Sequence, residues 1–335
     1  MPRSRSQKVE DIKRKLQTRL TEGVYRAGER FTSARELAEN FEVSYQTADR
    51  LINELCAEGH LERRAASGTY IPGGVIDLTG VQLFWNKRAR RAGSFGARLL
   101  EGLTERLTRD RISWKITWTD NGAGAAPKIL VNRFPVLWES PLAANKCASA
   151  NRSALLLNDR PQPGLDAAFL DSVSLDDFSG GVCAAQLLLR GSRTSTNGFA
   201  VLTGPADDRR SNQRRDGFLS VVPRATVIVA GSWFFEDGYA RATRTIEAAR
   251  AGLFCCNDRL AESIITYCQS NDVALPRLVG FDDAPVSERL NLTTIAVPWD
   301  EMITGAIGLI KRRLTGEQSV ARQLILTPRP VIRGL

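Results

Sequence analysis

The chain has 335 residues and a mass of 36.9 kDa, with 46 Lys+Arg against 37 Asp+Glu, a formal net charge of +9 and a pI of about 9.5. Hydrophobic residues make up 43% and charged residues 25%, a globular composition that excludes a mainly disordered, collagen-like or coiled-coil chain. No run of about 18 apolar residues is present to span a membrane, and the start MPRSRSQKVEDIKRKL lacks the apolar core of a secretory signal. At roughly 100–200 residues per domain, two or three domains are expected. The single His, His60, and six scattered Cys without a C-x-x-C pair argue against a zinc finger or a multi-His metal site. Neither a metal nor a cofactor is expected, and the cysteines read as reduced and buried in a cytoplasmic protein. The basic excess permits a nucleic-acid partner without establishing one. Residues 1–73 hold 13 basic and 11 acidic side chains, whereas residues 74–335 hold 33 and 26, so the excess is not loaded onto one terminus.

In chain order, Val9, Ile12, Leu16 and Leu20 recur at helical spacing among Lys and Arg, the pattern of an amphipathic helix. Gly23 and Gly28 interrupt it. Ser33 with Glu36 three residues on is a capping box opening a short helix through Phe41. After a tight turn at Glu42-Val43, Ser44 can cap a helix from Tyr45 to Glu58, with Ala48, Leu51, Ile52 and Leu55 as its apolar stripe and Gly59 as its stop. Residues 61–64 and 69–71 read as two short strands joined by Ala65-Ala66-Ser67-Gly68. Three helices followed by a β-hairpin are a winged helix-turn-helix, whose third helix enters the DNA major groove. His60, at the helix–wing junction, reads as a packing residue.

The run FTSARELAENFEVSYQTADRLINELCAEGHLERRAASGTYI resembles the DNA-binding domain of the GntR family of bacterial repressors. The resemblance implies DNA contacts from Arg35, from Ser44, Tyr45, Gln46 and Thr47 at the start of the third helix, from Arg50, and from Ser67 and Gly68 at the wing tip. The side-chain chemistry agrees: Ser44 and Thr47 can hydrogen-bond phosphate, and Gln46 can read adenine. The family usually has Arg where this chain has Tyr45, a basic residue where it has Asp49, and Gly where it has Ala66.

Pro72-Gly73-Gly74 forms a break, and a second domain, residues 74–335, is expected to begin there. It opens with a strand ending near Trp85. A helix marked by Leu99, Leu100, Leu103 and Leu107 follows, then strands at 112–118 and 154–158. A helix at 180–189 leads to strands at 199–204, 226–230 and 252–256, a helix at 260–270 and a strand at 277–281. Residues 120–150 show no clear register. The alternation predicts an α/β fold with parallel sheets covered by helices on both faces. Ligands of such folds bind beyond the carboxyl ends of the strands. Trp85, Asp207 to Arg215, Trp233, Asn257 and Asp282 stand at those ends. An aromatic face with Arg, Asn and Asp suits a sugar ring and its hydroxyls.

The segments FCCNDRLAESII, LVGFDDAP and LTTIAVPWDEM, with RRDGF and WFFEDGY before them, resemble the effector domain of lac-repressor-type regulators, itself similar to type I periplasmic binding proteins. The match is good over residues 173–305 and poor over 86–153. It implies two α/β lobes with three chain crossings between them, and ligand contacts from Arg214, Trp233, Asn257 and Asp282, with Asp176 in addition. Each has a bland alternative: Asp282 a turn residue, Asn257 a helix cap, Trp233 interlobe core, Arg214 a partner of Asp216 or Asp208. Lys87, Arg88, Arg90 and Arg91 replace a small polar loop of the family and read as a solvated charge run. They could instead attract an anionic effector or DNA backbone.

A GntR-type reader joined to such an effector domain is the arrangement of arabinose-responsive repressors. The expected protein is a homodimeric repressor on a palindromic DNA operator, whose affinity changes when a sugar closes the lobes. The alternative is a regulator whose effector domain is a dimer platform or takes an anionic non-sugar metabolite. An enzyme is not expected. None of the eight Lys stands in a convincing pyridoxal phosphate context, and without a His beyond residue 60 no Ser-His-Asp set can form there.

Overall fold

The computed structural model describes residues 5–21, 25, 28–64, 67–72, 78–120, 127–150, 152–161, 169–190, 197–317 and 320–334. The N-terminal unit comprises helices α1 (Arg5–Thr21), α2 (Ala34–Phe41) and α3 (Tyr45–Ala57) and an antiparallel hairpin of β1 (Glu62–Arg64) and β2 (Gly68–Tyr70). The capping box at Ser33 and Glu36 is formed. Ile12 and Leu16 of α1, Leu37 of α2, Leu51, Ile52 and Leu55 of α3, and Leu61 and Ile71 beside the hairpin make one small core. Apolar periodicity thus pointed to the buried faces of α1 and α3. Ala65, Ala66 and the domain boundary expected at 73/74 involve residues outside the described ones.

Beyond it lie two α/β lobes. The first comprises β3 (Val81–Asn86), a short 3-10 helix (Lys87–Arg90), α4 (Phe95–Arg109), β4 (Trp114–Thr119), β5 (Phe134–Trp138), α5 (Pro141–Ser149), β6 (Ala154–Leu157) and β7 (Leu170–Leu175). The chain then enters the second lobe. There it forms α6 (Asp177–Leu189), β8 (Phe199–Thr203), α7 (Arg209–Val221), β9 (Thr226–Val229), α8 (Phe235–Ala240), α9 (Ala242–Ala248), β10 (Gly252–Cys255), α10 (Asp258–Asn271), β11 (Leu278–Asp282), α11 (Pro285–Arg289) and β12 (Thr294–Ala296). It returns to the first lobe for α12 (Trp299–Leu314) and β13 (Gln323–Leu326), and crosses last to β14 (Arg329–Val331). The sheet orders are β13-β7-β6-β5-β3-β4 and β14-β12-β11-β10-β8-β9. All these pairings are parallel except β12 with β14. Three crossings therefore join the lobes.

β5 and α5 occupy the stretch where the sequence showed no register. β5 is fully buried, so its FPVLW run carries no alternation, and Pro135 speaks against a central strand. Each of the central strands β3, β6, β7, β8 and β10 is likewise buried on both faces. In the second lobe α6 and α7 cross at Gly181 and Gly217. A Cβ on Gly181 would run into the Arg214 carbonyl, and one on Gly217 into that of Phe178, so only glycine lets the two backbones approach this closely.

Among the described residues no helix is long and apolar enough to cross a membrane, and no metal-ligating cluster of His, Cys, Asp and Glu occurs. Cys147, Cys255, Cys256 and Cys268 are buried and Cys56 and Cys183 half-buried. Burial pushes the Cys147 thiol up to about 12.

α12 is fastened to the first lobe by a buried bidentate pair. Arg313 donates from Nε to Asp171 Oδ2 at 2.7 Å and from Nη2 to Oδ1 at 3.0 Å, and the backbone N–H of Arg322 adds a third bond to that carboxylate. Both side chains are almost wholly out of solvent. Removing one partner strands the other charge, so Asp171→Ala should lose about 3–5 kcal/mol of stability in chemical denaturation. The apolar double replacement Asp171→Leu with Arg313→Met should recover most of that loss.

Candidate functional site

Two surfaces carry the chemistry. The first is the N-terminal end of α3. Ser44 caps it, its Oγ accepting from Thr47 N at 3.2 Å and lying 2.8 Å from Thr47 Oγ1. The cap fixes the helix start and directs its free N–H groups outward, where a phosphate is favoured. Tyr45, at 55% exposure, and Gln46 project into solvent. Arg50 is exposed and 3.7 Å from Glu54. Arg35, exposed on the first turn of α2, makes no ion pair with Glu39 among the described residues. In the wing Ser67 Oγ lies 2.7 Å from Tyr70 Oη, and Gly68 adopts φ 116°, open to glycine and strained for other residues. Asp49 is engaged by Arg63 of β1 and by Asn53 Nδ2. The acid that replaces the family's usual base thus ties the recognition helix to the wing.

The second surface is the cleft between the lobes, where the strand ends meet. Arg214 on α7 is its anchor. Nε donates to Asp177 Oδ1 at 2.7 Å. Nη1 donates to the Cys256 carbonyl at 2.7 Å and to Asp282 Oδ1 at 3.2 Å. The guanidinium lies 3.6 Å from the centroid of the Phe281 ring and 5.5 Å from that of Trp233. Its Nη2 makes no hydrogen bond among the described residues. Burial pushes the Asp282 carboxyl up to about 6, with Asp177 acting in the same direction and Arg214 opposing. Asp258 behind it is also raised by burial, against hydrogen bonds from Thr294 Oγ1 and Ala284 N.

The remaining expected ligand residues divide. Trp233 sits over Gly204 and donates its indole N–H to Asp208 Oδ2 at 2.9 Å. Asn257 caps α10 through Oδ1 and donates from Nδ2 to the Trp233 carbonyl. Both ends of Asp176 are taken by Ser179, whose N–H and Oγ donate to it as the cap of α6. The capping alternative thus accounts for Asn257 Oδ1, and a cap likewise engages both carboxylate oxygens of Asp176. Trp85 is a correction. It is fully buried, stacked 5.8 Å from Trp138, and its indole N–H donates to the Gly96 carbonyl at 2.9 Å. It stands one residue before the strand end, in register with Trp138 of β5.

The structure adds residues that spacing did not reveal. Trp138 ends β5 and its Nε1 is buried without a partner among the described residues, as are both amide atoms of Asn158 beyond β6 and the Ser211 hydroxyl on α7. Glu139 follows β5 and receives Arg88 Nε at 2.5 Å and Arg210 Nη2 at 2.6 Å. Arg210 is further paired to Asp208 at 2.8 Å. Despite burial, which works the other way, Glu139 and Asp208 hold the Arg210 guanidinium firmly charged. Opposite, Trp299 packs 4.6 Å from Phe95 and under Arg98, whose Nη1 donates to the Asp283 carbonyl. Glu139, Asn158, Asp282 and Asp283 have φ of 48°, 55°, 105° and 50°. Left-handed backbone at non-glycine residues is costly and clusters at functional sites. The one sequence signal for Asn158 was a lone polar residue closing the run Ala154–Leu157.

The run Lys87–Arg91, expected as a solvated face, is largely spoken for. Lys87 reaches Asp120 at 2.7 Å, Arg90 lies over the Trp118 ring and Arg91 pairs with Glu236. With Arg88 on Glu139, each cation of the run has an acid or an aromatic ring.

Known proteins match two separate stretches of the chain. Residues 8–71 match the family described as bacterial regulatory proteins, gntR family, and residues 186–334 match a periplasmic binding protein-like domain. Curated relatives include the HTH-type transcriptional repressor PurR of Haemophilus influenzae, 26% identical over 179 residues (49% of this chain, 52% of the relative). PurR of Vibrio parahaemolyticus is 22% identical over 184 residues (51% and 54%). The chain spans about half the length of the curated relatives it matches. Among solved structures it resembles the complex of the transcriptional regulator CelR with cellobiose, with a TM-score of 0.63 and 18% identity over 87% of this chain and 91% of that one. It also resembles a LacI family transcriptional regulator from Enterococcus faecium with bound ribose, with a TM-score of 0.62 and 18% identity over 75% and 97%. These likenesses show the two-lobed fold.

A raised acid makes the fold prefer the proton. The contribution of Asp282 to stability is therefore greatest below its ordinary value of 3.8 and declines as pH rises through about 6. Across that window the stability difference between the wild type and Asp282→Asn, measured by urea denaturation, should fall steadily with rising pH. A flat difference would contradict the assigned environment.

Proposed function

From a chain that joins a gntR-family helix-turn-helix to a periplasmic-binding-protein-like domain, we propose a ligand-responsive, DNA-binding transcriptional regulator. It represses carbohydrate genes and changes operator affinity when a sugar or sugar derivative binds between its lobes. The observation that carries this is the pairing of a capped recognition helix, with Tyr45 and Gln46 projecting from its open end, with a cleft of aromatic rings and polar side chains. A protein of this kind works by binding rather than catalysis, in the cytoplasm. As a homodimer it presents two reading helices to a palindromic site.

On the DNA side, Arg35, Ser44, Tyr45, Gln46, Thr47, Arg50, Ser67 and Gly68 form the proposed contact set. On the ligand side, Arg214, Asp282 and Trp233 form the polar and aromatic wall. Trp138, Asn158 and Ser211 supply donors and acceptors that a hydroxylated ligand would satisfy. Charged groups around them already pair with one another, which favours an uncharged polyhydroxylated ligand over an anion.

Two measurements test the halves separately. Footprinting on the DNA upstream of the protein's own gene should show a protected palindrome. Gln46→Ala should weaken it by about 1–3 kcal/mol and relax one position. Arg35→Ala, if it removes a phosphate contact, should lower the salt slope of log K by about 0.9. An unchanged footprint in both variants would exclude this contact helix. Thermal-shift screening across pentoses, hexoses, sugar acids and phosphosugars should give a shift with a neutral sugar that Asp282→Ala abolishes. If no ligand shifts the protein, the sensor half fails while the DNA half stands.

A further inference from the structure

The cleft is bridged by the chain's own charges. At its centre Arg210 Nη2 of the second lobe meets Glu139 Oε1 of the first at 2.6 Å. Arg88 of the first lobe holds the other oxygen of the same carboxylate. At one rim Arg91 Nη2 reaches both oxygens of Glu236, at 2.6 and 2.9 Å, while its guanidinium lies 3.9 Å from the Phe234 ring centroid. Beside it Arg259 Nη2 donates to the Ala92 carbonyl at 2.5 Å. Elsewhere Arg209 stands 3.6 Å from Asp159, and Arg98 donates to the Asp283 carbonyl at 2.8 Å. In each of these contacts except Arg88–Glu139, which braces the carboxylate from its own lobe, an arginine of one lobe meets an acid or a carbonyl of the other.

We propose that these pairs form an ionic latch that holds the lobes shut, with Glu139–Arg210 as its central bolt and Arg91–Glu236 as its rim clasp. The Lys87–Arg91 run supplies the clasp's cation, Arg91, and the residue that braces the bolt's carboxylate from its own lobe, Arg88. The proposal rests on the regulator described above and names how its cleft is controlled. Closure is stored in the chain itself, and an effector acts by exchanging its own polar contacts for the Glu139–Arg210 pair.

The two pairs differ in environment. Glu139 and Arg210 are mostly out of solvent, with side-chain exposures of 12% and 17%, whereas Arg91 and Glu236 are exposed at 41% and 67%. A solvent-facing pair is screened when the Debye length falls from about 10 Å at 0.1 M salt to about 3 Å at 1 M, and a sheltered one is screened far less. Salt should therefore undo the clasp before the bolt.

Hydrogen–deuterium exchange on the full chain tests this. It is read at the cleft-rim segments 88–94, 139–140, 204–212 and 233–238, with the strand cores 81–86 and 252–255 as internal controls. Glu139→Gln should speed exchange about tenfold at 204–212 with the cores unchanged. Glu236→Gln, at an exposed site where misfolding is not a concern, should speed only 88–94 and 233–238. It should do so at 0.1 M but not at 1 M salt. The charge swap Arg91→Glu with Glu236→Arg should restore protection at that rim. If exchange at the rims is the same in wild type, Glu236→Gln and Glu139→Gln while the cores stay protected, the latch is excluded. The readout needs neither DNA nor an effector, so a failed footprint or thermal-shift screen would not be mistaken for a failed latch.

Discussion

One buried guanidinium organises the second lobe. Arg214 joins the start of α6 through Asp177, the end of β10 through the Cys256 carbonyl and the end of β11 through Asp282, and its flat face covers Phe281. Lysine would not be equivalent, because its three donors radiate from one nitrogen, whereas the guanidinium reaches these partners from two coplanar nitrogens while its flat face stacks on a ring. Two acids close to one cation leave Asp282 imperfectly compensated, and burial then raises it toward neutrality. The close crossing of α6 over α7 at Gly181 and Gly217 brings Arg214 to this point. Sheet, helix crossing and cleft floor are thus one construction.

Local signals made the N-terminal unit legible. Caps, a 3.6-residue apolar period and a hairpin lie within short windows, and Ser33, Glu36 and Ser44 form the bonds their spacing implies. The α/β alternation of the lobes was readable for the same reason. β5 and α5 were not, because a strand buried on both faces has no period and Pro135 sits within it. The cleft was half legible. Arg214, Asp282 and Trp233 do converge. Trp85 does not join them, because it is fully buried against Trp138 and its indole N–H is spent on the Gly96 carbonyl. Glu139 and Asn158 escaped notice, and Arg210 was marked only as part of the 207–215 stretch, because their meaning depends on which strand ends face each other across a gap, a long-range property that no local window contains.

Charge behaves similarly. The excess of the lobes looks from composition like an attractive field for an anion. In three dimensions many of the cations are held by neighbours, Arg88 and Arg210 on Glu139, Arg91 on Glu236 and Arg313 on Asp171, although pairing leaves the excess itself as it was. The DNA-reading unit, with its small excess, even spends an acid, Asp49, on fastening its wing. Placement, not sum, decides what each surface can attract.

The left-handed residues at the strand ends have a consequence for how such a cleft can diversify. At Glu139, Asn158, Asp282 and Asp283 the backbone turns through positive φ, a region that admits glycine freely, asparagine and aspartate readily, and β-branched side chains hardly at all. Any descendant that keeps this sheet geometry draws its strand-end chemistry from a restricted alphabet of short polar side chains. A new preference would then arise sooner from the helix residues facing those ends, such as Arg210 and Ser211, where the backbone imposes no such restriction.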